Sequence, residues 1–427
     1  MVRTMFDFLA LAILRQFVAS GTLSLTLPGG SVERLDSGVP GADAVITLHD
    51  RASLWRLVAK PDLAFGEAYM DGRLTVGDGG LESLMEFLMR NAEHWRRHWP
   101  GRLSLCLGNA TAWFRHLNPP ARSRRNVAHH YDLTDGLFET FLDPWRQYSC
   151  AYFHSDHDTL EDAQVTKLAR LAAKLNLQAG DRVLDIGCGW GGLARALIRC
   201  REGVSVTGIT LSEQQLVHAE QHQIDGDQAG RLAFALRDYR RQTGQFDRIV
   251  SVGMLEHVGP SNIPTYFSTV RRLLAPGGVA VIHSIAVHNR SGPVNRWMGR
   301  YIFPGGYLPS VRQLVSAAEA QGLKILDMEI MRGHYAETLR HWRARFLAQR
   351  RRITELYDDR FVRMWEFYLV GCEYFFRCQH GMVVQLQLSD DHQAVPKSRG
   401  YISGLEQTFR DKLCQNAPSG KKNASAR

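Results

Sequence analysis

The chain has 427 residues, of which 44% are hydrophobic and 22% are charged. This balance excludes a disordered chain, a collagen-like fibre and a disulfide-stabilised miniprotein, and the length predicts two or three domains. Fifty-two Lys and Arg against forty-three Asp and Glu give a net charge of +9, which predicts an anionic partner without identifying it.

The seven cysteines form no CxxC pair, which argues against a zinc site and against a disulfide framework. We therefore predict no metal and reduced thiols in a cytosolic protein. The N-terminal sixteen residues predict an amphipathic helix rather than a signal peptide, because Asp7 and Arg15 flank a short apolar run. No apolar run approaches the ~18 residues of a membrane-spanning helix, so we expect a soluble or membrane-surface protein.

Residues 1–115 mix short alternating stretches with helical ones, which predicts a small α+β domain. Residues 94–131 contain no Asp or Glu and carry seven Arg with three interleaved Trp. This composition suits an anionic membrane surface, a nucleic acid or a solvated linker, and we predict a basic linker over 116–135.

From residue 160 onward, strands alternate with helices of 10–15 residues. The predicted helices are 161–177, 192–200, 212–222 and 263–274, and the predicted strands are 182–186, 204–210, 246–252 and 279–285. This order indicates an α/β fold with a doubly wound, mostly parallel sheet, whose ligands bind at the carboxyl ends of the strands. Farther on, we predict a basic amphipathic helix over 340–352 and a basic, partly disordered tail over 391–427.

The strongest motif is VLDIGCGWGG at residues 183–192, where a strand ends in a glycine-rich turn. Gly187 and Gly189 allow a tight turn and the close approach of a ligand to the backbone. The same letters satisfy the dinucleotide fingerprint. An acid before the first glycine, no acid at the end of the second strand and the bulk of Trp190 favour S-adenosylmethionine (SAM) over a dinucleotide.

The next two strands end in residues suited to an adenosine group. Thr210 and Leu211 are expected beside the ribose, with Gln215 in reach of its hydroxyls, although Gln215 also completes an S-x-x-Q capping box. Asp238 and Tyr239 are expected at the adenine, where a carboxylate can accept from the amine and an aromatic ring can stack; a surface turn is the alternative.

Eight segments of the chain resemble the cyclopropane-fatty-acyl-phospholipid synthases. They are 130–153, 183–194, 209–215, 246–259, 281–287, 301–310, 334–339 and 368–377. The motifs QYSCAY, MLEHVG and FPGGYLPS are together highly specific, and the resemblance runs from about residue 50 to 390. Mycolic acid cyclopropane synthases are similar over the C-terminal domain but lack a comparable N-terminal domain, so the phospholipid branch fits better.

The resemblance implies an enzyme that transfers the methyl carbon of SAM to the cis double bond of unsaturated acyl chains in membrane phospholipids. A cyclopropane ring forms, with bound bicarbonate as the proton acceptor. The implied architecture is a lipid-associated N-terminal domain (1–115), the linker, a class I SAM-methyltransferase (Rossmann-like) domain (136–390) and the tail. The family also implies a homodimer, peripheral on the inner face of an anionic membrane, without nucleic acid.

The family's site residues map onto this sequence in three groups. Those for SAM are Tyr148, Ser149, Gly187, Gly189, Thr210, Leu211, Gln215, Asp238 and Tyr239. Those for bicarbonate are Cys150, Glu256, His283, Ile285 (through its backbone) and Tyr335. Cys372 matches a cysteine often assigned to the active site, and a carbocation in a dry pocket would also need aromatic faces such as Tyr335, Tyr152, Phe153 and Trp190.

From the residues alone, Cys150, His283 and Cys372 fit packed core side chains better than reacting groups. Three other functions stay open. The same cation could end as a methyl branch, the chain could be a non-catalytic lipid-binding relative, or the net charge could serve nucleic-acid methylation. Asn118–Pro119–Pro120 resembles the Asn-Pro-Pro-aromatic element of amino-methylating nucleic-acid enzymes, but the aromatic residue is missing. This argues against nucleic-acid methylation.

Overall fold

The computed structural model describes residues 5–97, 135–222, 230–288, 291–378 and 380–415. Most of the predicted linker and the last twelve residues of the predicted tail, 416–427, lie outside these ranges. The chain forms two compact units. The N-terminal unit comprises the described residues of Met1–Leu117, Pro293–Pro304 and Leu339–His380, and the α/β unit comprises those of Asn118–Gly292, Gly305–Thr338 and Gly381–Arg427.

The helices and strands are numbered in chain order. The helices are α1 Met5–Arg15, α2 Arg51–Ala59, α3 Pro61–Met70, α4 Gly80–Arg97, α5 Asp135–Phe138, α6 Leu160–Lys174, α7 Gly192–Cys200, α8 Glu213–Gln221, α9 Ile263–Leu273, α10 Arg296–Tyr301, α11 Val311–Glu319, α12 His334–Ala348, α13 Arg350–Leu356, α14 Asp359–Arg377 and α15 Gly400–Gln415. The strands are β1 Thr22–Thr26, β2 Val32–Asp36, β3 Asp43–Leu48, β4 Leu74–Val76, β5 Arg182–Ile186, β6 Ser205–Thr210, β7 Leu232–Leu236, β8 Phe246–Val252, β9 Leu274–Val287, β10 Gly292–Pro293, β11 Tyr307–Leu308, β12 Lys324–Met331 and β13 Gly381–Ser389.

The N-terminal unit is built on a four-stranded mixed sheet in the order β2-β1-β3-β4. β1 runs antiparallel to β2 and parallel to β3. Alternate apolar residues such as Leu25 and Ile46 point into the core, and the predicted amphipathic helix α1 adds Leu11 and Leu14. In the described ranges, no helix combines the length and hydropathy that crossing a bilayer requires.

The basic helix predicted over 340–352 differs from the structure, because α12 ends at Ala348 and α13 begins at Arg350. Its arginines also have partners within the N-terminal unit. Arg343 pairs with Glu82 and, at 3.1 Å, with Glu373. Arg343 therefore holds helices of its own unit together.

The α/β unit contains a seven-stranded sheet in the order β12-β13-β9-β8-β5-β6-β7. β5 to β9 are mutually parallel where they pair, and β13 runs antiparallel between β9 and β12. The doubly wound α/β fold predicted from the sequence is thus confirmed. β5, β8 and α7 have the predicted bounds. The carboxyl ends of the parallel strands meet at one edge, where the fold places its ligands.

In the sequence, the helix predicted over 161–177, which corresponds to α6, has four apolar residues on one face. Leu168, Leu171, Ala172 and Leu175 do lie in the core. An adjoining strip of the helix, which we call the polar face of α6, is buried too: Gln164, Lys167, Arg170 and Lys174 are each at most 8% exposed. Buried polar groups of this kind need partners inside the protein, and the elements that supply them surround the site described below.

The structure differs from the predicted domain boundaries in two places. Two later segments, Pro293–Pro304 and Leu339–His380, belong to the N-terminal unit. The predicted tail contains helix α15, which buries Ile402, Phe409 and Leu413 in the core around α6 and α7. The α/β unit therefore extends at least to residue 415, because apolar side chains on one side of α15 complete its core.

We predict that Phe409→Ala lowers the free energy of unfolding by about 3–5 kcal/mol, since it empties a fully buried ring position. Gln407→Ala, on the exposed side of the same helix, should change it by less than about 0.5 kcal/mol. Urea denaturation followed by circular dichroism measures both. Equal, small effects of the two substitutions would show that α15 does not belong to the core.

Candidate active site

A cavity opens at the carboxyl ends of β5 to β8 in the α/β unit. All nine residues predicted to bind the cofactor line it: Tyr148, Ser149, Gly187, Gly189, Thr210, Leu211, Gln215, Asp238 and Tyr239. They come from four separate stretches of chain that the parallel sheet brings to one edge. The structure thus brings together the full set that the sequence suggested.

The floor of the cavity is the turn between β5 and α7. Gly187, Gly189 and Gly191 have φ values of 83°, 55° and 78°, in the left-handed region that only glycine adopts without strain. A Cβ at Gly187 would meet Met254 at 3.0 Å, whereas one at Gly189 would have no atom within 4 Å. Gly189 therefore faces open cavity space, as a backbone that a ligand approaches closely should.

Two of the cavity walls carry ordered polar side chains. Thr210 Oγ1 donates to Gln215 Oε1 at 2.9 Å, and Ser212 Oγ accepts from the Gln215 N–H at 3.3 Å. The helix cap and the cavity-lining role of Gln215 therefore coexist. Asp238 accepts from Arg240 Nη2 at 2.7 Å and Nε at 2.9 Å. Asp238 and Tyr239 are both buried, so the surface-turn interpretation is wrong.

Asp185, the acid two residues before the first glycine of the motif, belongs to the cavity wall. Its Oδ2 is buried and has no hydrogen-bond partner among the described residues. Burial raises the pKa of this carboxyl to about 7, with Lys167 opposing the shift. An unpaired buried acceptor in a cavity wall is suited to a ligand that brings a donor or a positive charge.

The segment that follows α5 is fixed by hydrogen bonds from Asp143 and Lys167, which the sequence did not predict as functional residues. Asp143 accepts from the backbone N–H groups of Trp145 and Gln147 at 2.8 and 2.9 Å. Lys167 Nζ donates to the Gln147 side chain and, at 3.1 Å, to Ser149 Oγ. Burial lowers the pKa of Lys167 to about 8, and Asp143, Cys150 and Asp185 oppose that shift. A buried ammonium thus lies directly behind the cofactor cavity.

Three of the residues predicted for the bicarbonate site meet where β8 and β9 end. The Ile285 N–H donates to Glu256 Oε1, and Glu256 Oε2 has no hydrogen-bond partner among the described residues. Burial raises the pKa of Glu256 to about 7, although the Ile285 bond opposes the shift. The His283 carbonyl accepts from the N–H of Gly253, a cavity-lining residue, at 2.9 Å.

The ring of His283 is buried between neighbouring strands, opposite Gln385 of β13. The Gln385 amide lies 3.1 Å from His283 Nδ1. Burial, followed by the charges of Lys167 and Lys174, lowers the pKa of His283 to about 3. The ring is therefore neutral at physiological pH, and Gln385 fixes its orientation.

The segment that carries Cys150 contacts α12, the helix that carries Tyr335. The Ala151 N–H donates to Thr338 Oγ1 at 3.0 Å, which ties the Cys150 segment to the first turn of that helix. Tyr335 lies three residues before Thr338, a spacing that places both on neighbouring positions of one helix side. Cys150 is fully buried, and burial raises the pKa of its thiol, so the thiol stays protonated.

Two candidate residues are placed where a reacting role is not supported. The Arg170 guanidinium lies 4.3 Å from the Tyr152 ring centroid, and His334 stacks on that ring at 4.5 Å, so both ring faces are in use. Cys372 lies in α14 of the N-terminal unit, and burial raises the pKa of its thiol to about 12.

In the described ranges, no cluster of three or more His, Cys, Asp or Glu could hold a metal ion.

Comparison with known proteins gives consistent matches. A family model described as mycolic acid cyclopropane synthetase matches residues 119–386, and a model of a domain of unknown function matches residues 12–98. The cyclopropane-fatty-acyl-phospholipid synthase of Escherichia coli strain K12 is 39% identical over 334 residues, which cover 78% of this chain and 85% of that protein.

Two further relatives extend the comparison. Tuberculostearic acid methyltransferase of Mycobacterium tuberculosis is 36% identical over 365 residues, covering 80% of this chain and 82% of that protein. A crystal structure of a mycolic acid cyclopropane synthase complexed with SAH and CTAB has a TM-score of 0.59 at 34% identity, covering 62% of this chain and 97% of that one. Family, fold and glycine-rich cavity agree, and the chain belongs to the mycolic acid cyclopropane synthetase family as a SAM-dependent C-methyltransferase.

Proposed function

We propose that this enzyme transfers the methyl carbon of SAM to the cis double bond of unsaturated acyl chains in membrane phospholipids and closes a cyclopropane ring. The observation that carries the proposal is the arrangement at the strand ends. A cavity lined by all nine expected cofactor residues lies beside the ends of β8 and β9, where the Ile285 N–H donates to the buried Glu256 and the His283 carbonyl accepts from the N–H of the cavity residue Gly253.

The cavity residues fit SAM. Gly189 leaves room for a ligand against the backbone, and Asp185, in the cavity wall, has a carboxyl oxygen without a hydrogen-bond partner among the described residues. Thr210 and Gln215 would meet the ribose, and Asp238 and Tyr239 the adenine. The two ends of the cavity therefore offer the two kinds of contact, charged and stacking, that this ligand needs.

The second group fits a small carbonate-type anion, and we propose bicarbonate. Glu256 keeps one oxygen without a hydrogen-bond partner among the described residues, so it can accept the hydroxyl of bicarbonate. Gln385 donates to Nδ1 of the neutral His283 ring, which leaves the ring proton on Nε2 to donate to the anion. Cys150, the Ile285 backbone and Tyr335 are the remaining proposed neighbours.

When bound, SAM supplies an electrophilic methyl group that the weakly nucleophilic alkene attacks, and bicarbonate accepts the proton lost from that methyl group as the ring closes. The protein residues must orient the reactants and keep water away from the cation on the acyl chain. Burial of Cys150, Glu256 and His283 supplies the dry surroundings. His283 stays neutral and so adds no second positive charge beside the cation.

A second candidate function is methyl branching of the acyl chain, in which the same cation takes a hydride from an external two-electron donor, such as a reduced nicotinamide or flavin, instead of losing a proton. The relative named tuberculostearic acid methyltransferase, which matches over most of both chains, favours keeping this alternative. We further propose that the protein works as a homodimer, as the family resemblance implies. We also propose that it lies on the inner face of an anionic membrane, because its net charge is +9 and its proposed substrate is a lipid.

The decisive experiment incubates the full chain with SAM and vesicles of unsaturated phospholipid. We expect equal amounts of S-adenosylhomocysteine and cyclopropane fatty acid, identified by chromatography against cyclopropane and methyl-branched standards. A methyl-branched product would establish the second candidate instead. SAM binding without any S-adenosylhomocysteine would contradict both functions.

We predict that Gly189→Ala raises the dissociation constant for SAM at least about 10-fold, because the new methyl group enters the cavity. Gly180→Ala is a matched control. Gly180 also has a positive φ, 79°, and an added Cβ there meets no atom within 4 Å, but it does not line the cavity. Isothermal titration calorimetry should show unchanged SAM affinity for the control. Equal losses in both variants would mean that backbone strain, not ligand contact, explains the effect.

Glu256→Gln should lower turnover at least about 100-fold while leaving SAM affinity unchanged, because it alters the proton-acceptor site and not the cofactor cavity. Glu319→Gln, an exposed carboxylate at the end of α11, is the control and should leave turnover unchanged. Product formation is measured with vesicles, and SAM binding by calorimetry. Unchanged turnover in Glu256→Gln would remove this residue from the mechanism.

Removing dissolved bicarbonate should slow the wild-type enzyme, and adding it back should restore the rate, since the captured anion accepts the proton. The measurement is initial rate in degassed, carbonate-free buffer against added bicarbonate. A rate that is independent of bicarbonate would leave methyl transfer intact as a function but would assign the proton to another acceptor.

A further inference from the structure

The polar face of α6 connects two distant parts of the α/β unit. At one end it reaches the segment 147–153, which carries Tyr148 and Ser149 of the cofactor cavity and Cys150 of the proposed bicarbonate site. At the other end it reaches acidic residues of β12 and α15. No described function uses these contacts, and α15 lies beyond residue 386, where the family match ends.

The first end holds the cofactor side of the segment. Gln164 Nε2 donates to the Ser149 carbonyl at 3.0 Å and to the Gln147 carbonyl at 3.4 Å. Lys167, three residues later on the same face, bonds the side chains of the same two residues. Backbone and side chains of Gln147 and Ser149 are thus fixed by one helix.

The second end is a buried charge cluster. Arg170 donates to Glu329 at 2.9 Å from Nε and at 2.6 Å from Nη2, and it also pairs with Glu406 of α15. Lys174 lies 2.6 Å from Glu329. Burial alone would raise the pKa of Glu329, but its bonds to Arg170 and Lys174 lower it to about 2, so it stays ionised.

The charge cluster holds the far side of the same segment. Tyr152 donates to Glu329 at 3.3 Å and lies beneath the Arg170 guanidinium. His154 Nε2 lies 2.7 Å from Glu406 Oε1. The segment is therefore fixed on both sides of Cys150: at Ser149 before it, and after it at Tyr152 and the adjoining His154.

Stability alone does not explain this arrangement. Desolvating charges costs about as much as their attraction returns, and well-packed apolar side chains often stabilise a protein equally well. Charged pairs, unlike apolar contacts, fix direction and register. The polar face of α6 is therefore suited to setting where the segment 147–153 lies, more than to raising the free energy of unfolding.

We propose that Lys167 and Glu406 are positioning residues for the two ends of the segment 147–153. Lys167 sets Ser149 and Gln147 against the cofactor. Glu406, through Arg170 and His154, sets the part that follows Cys150. This inference rests on the proposed function for its kinetic consequences, but its effects on SAM affinity and on backbone mobility do not depend on the lipid reaction.

The test compares two substitutions that should separate the two ends. Lys167→Met keeps the aliphatic stem and should raise the SAM dissociation constant at least about 10-fold, since two charge-assisted hydrogen bonds are lost. Glu406→Gln keeps the shape and should leave SAM affinity within about twofold, lower kcat on unsaturated phospholipid vesicles at least about 10-fold and speed amide hydrogen exchange at residues 151–154. Glu406→Asp should recover part of kcat.

One control and one supporting variant accompany these two substitutions. Asp411→Asn changes an exposed carboxylate of α15 and should alter none of the three measurements. His154→Ala removes the Glu406 contact from a partly exposed position, so it tests the same link should Glu406→Gln fail to fold. It should speed exchange at residues 151–154 and lower kcat.

The proposal is overturned if Lys167→Met leaves SAM affinity unchanged, or if His154→Ala leaves both exchange and kcat unchanged. It is also overturned if the variants lower only the unfolding midpoint, which would be a purely structural role. Wild-type enzyme that binds SAM but makes no lipid product would instead refute the proposed function, while the affinity and exchange measurements would still decide the positioning role.

Discussion

Removal of charged groups from water is the constraint on which the site depends. Burial raises the pKa of Asp143 to about 6 and those of Asp185 and Glu256 to about 7, and it lowers those of Lys167 to about 8 and His283 to about 3. Each shift marks a group whose ionised form is costly unless a partner compensates for it. A proposed reaction through a carbocation needs dry surroundings, and the protein obtains them by enclosing ionisable groups that must then be paired within the fold.

The parts of the site that follow from local rules were predictable from the sequence. A strand followed by glycines predicts a ligand turn, and Gly187 and Gly189 do adopt the left-handed backbone that such a turn needs. Parallel strands share one edge for their carboxyl ends, so Thr210 and Asp238 had to lie near that turn. These arguments need only the order of residues along each strand.

The parts that depend on distant packing were not predictable in this way. The sequence pattern of α6 is that of an ordinary amphipathic helix, and a polar side that faces water has the same pattern as one covered by other elements. Lys167 was therefore missed. Arg170 and Glu406 are separated by more than two hundred residues, and neither residue type nor spacing links them. Tyr152 was expected to face the reacting carbon, but its two ring faces are occupied by Arg170 and His334.

Helix α15 contributes a charged side chain to the interior of the α/β unit. The carboxylate of Glu406 is buried and pairs with the Arg170 guanidinium, which would otherwise lack one of its two acidic neighbours. Shortening the chain to the limits of the family match, or fusing a bulky partner close behind residue 415, would thus disturb the electrostatics of the core rather than trim a dispensable end. Truncated variants, and chimeras that join this catalytic unit to other chains, should keep α15 intact.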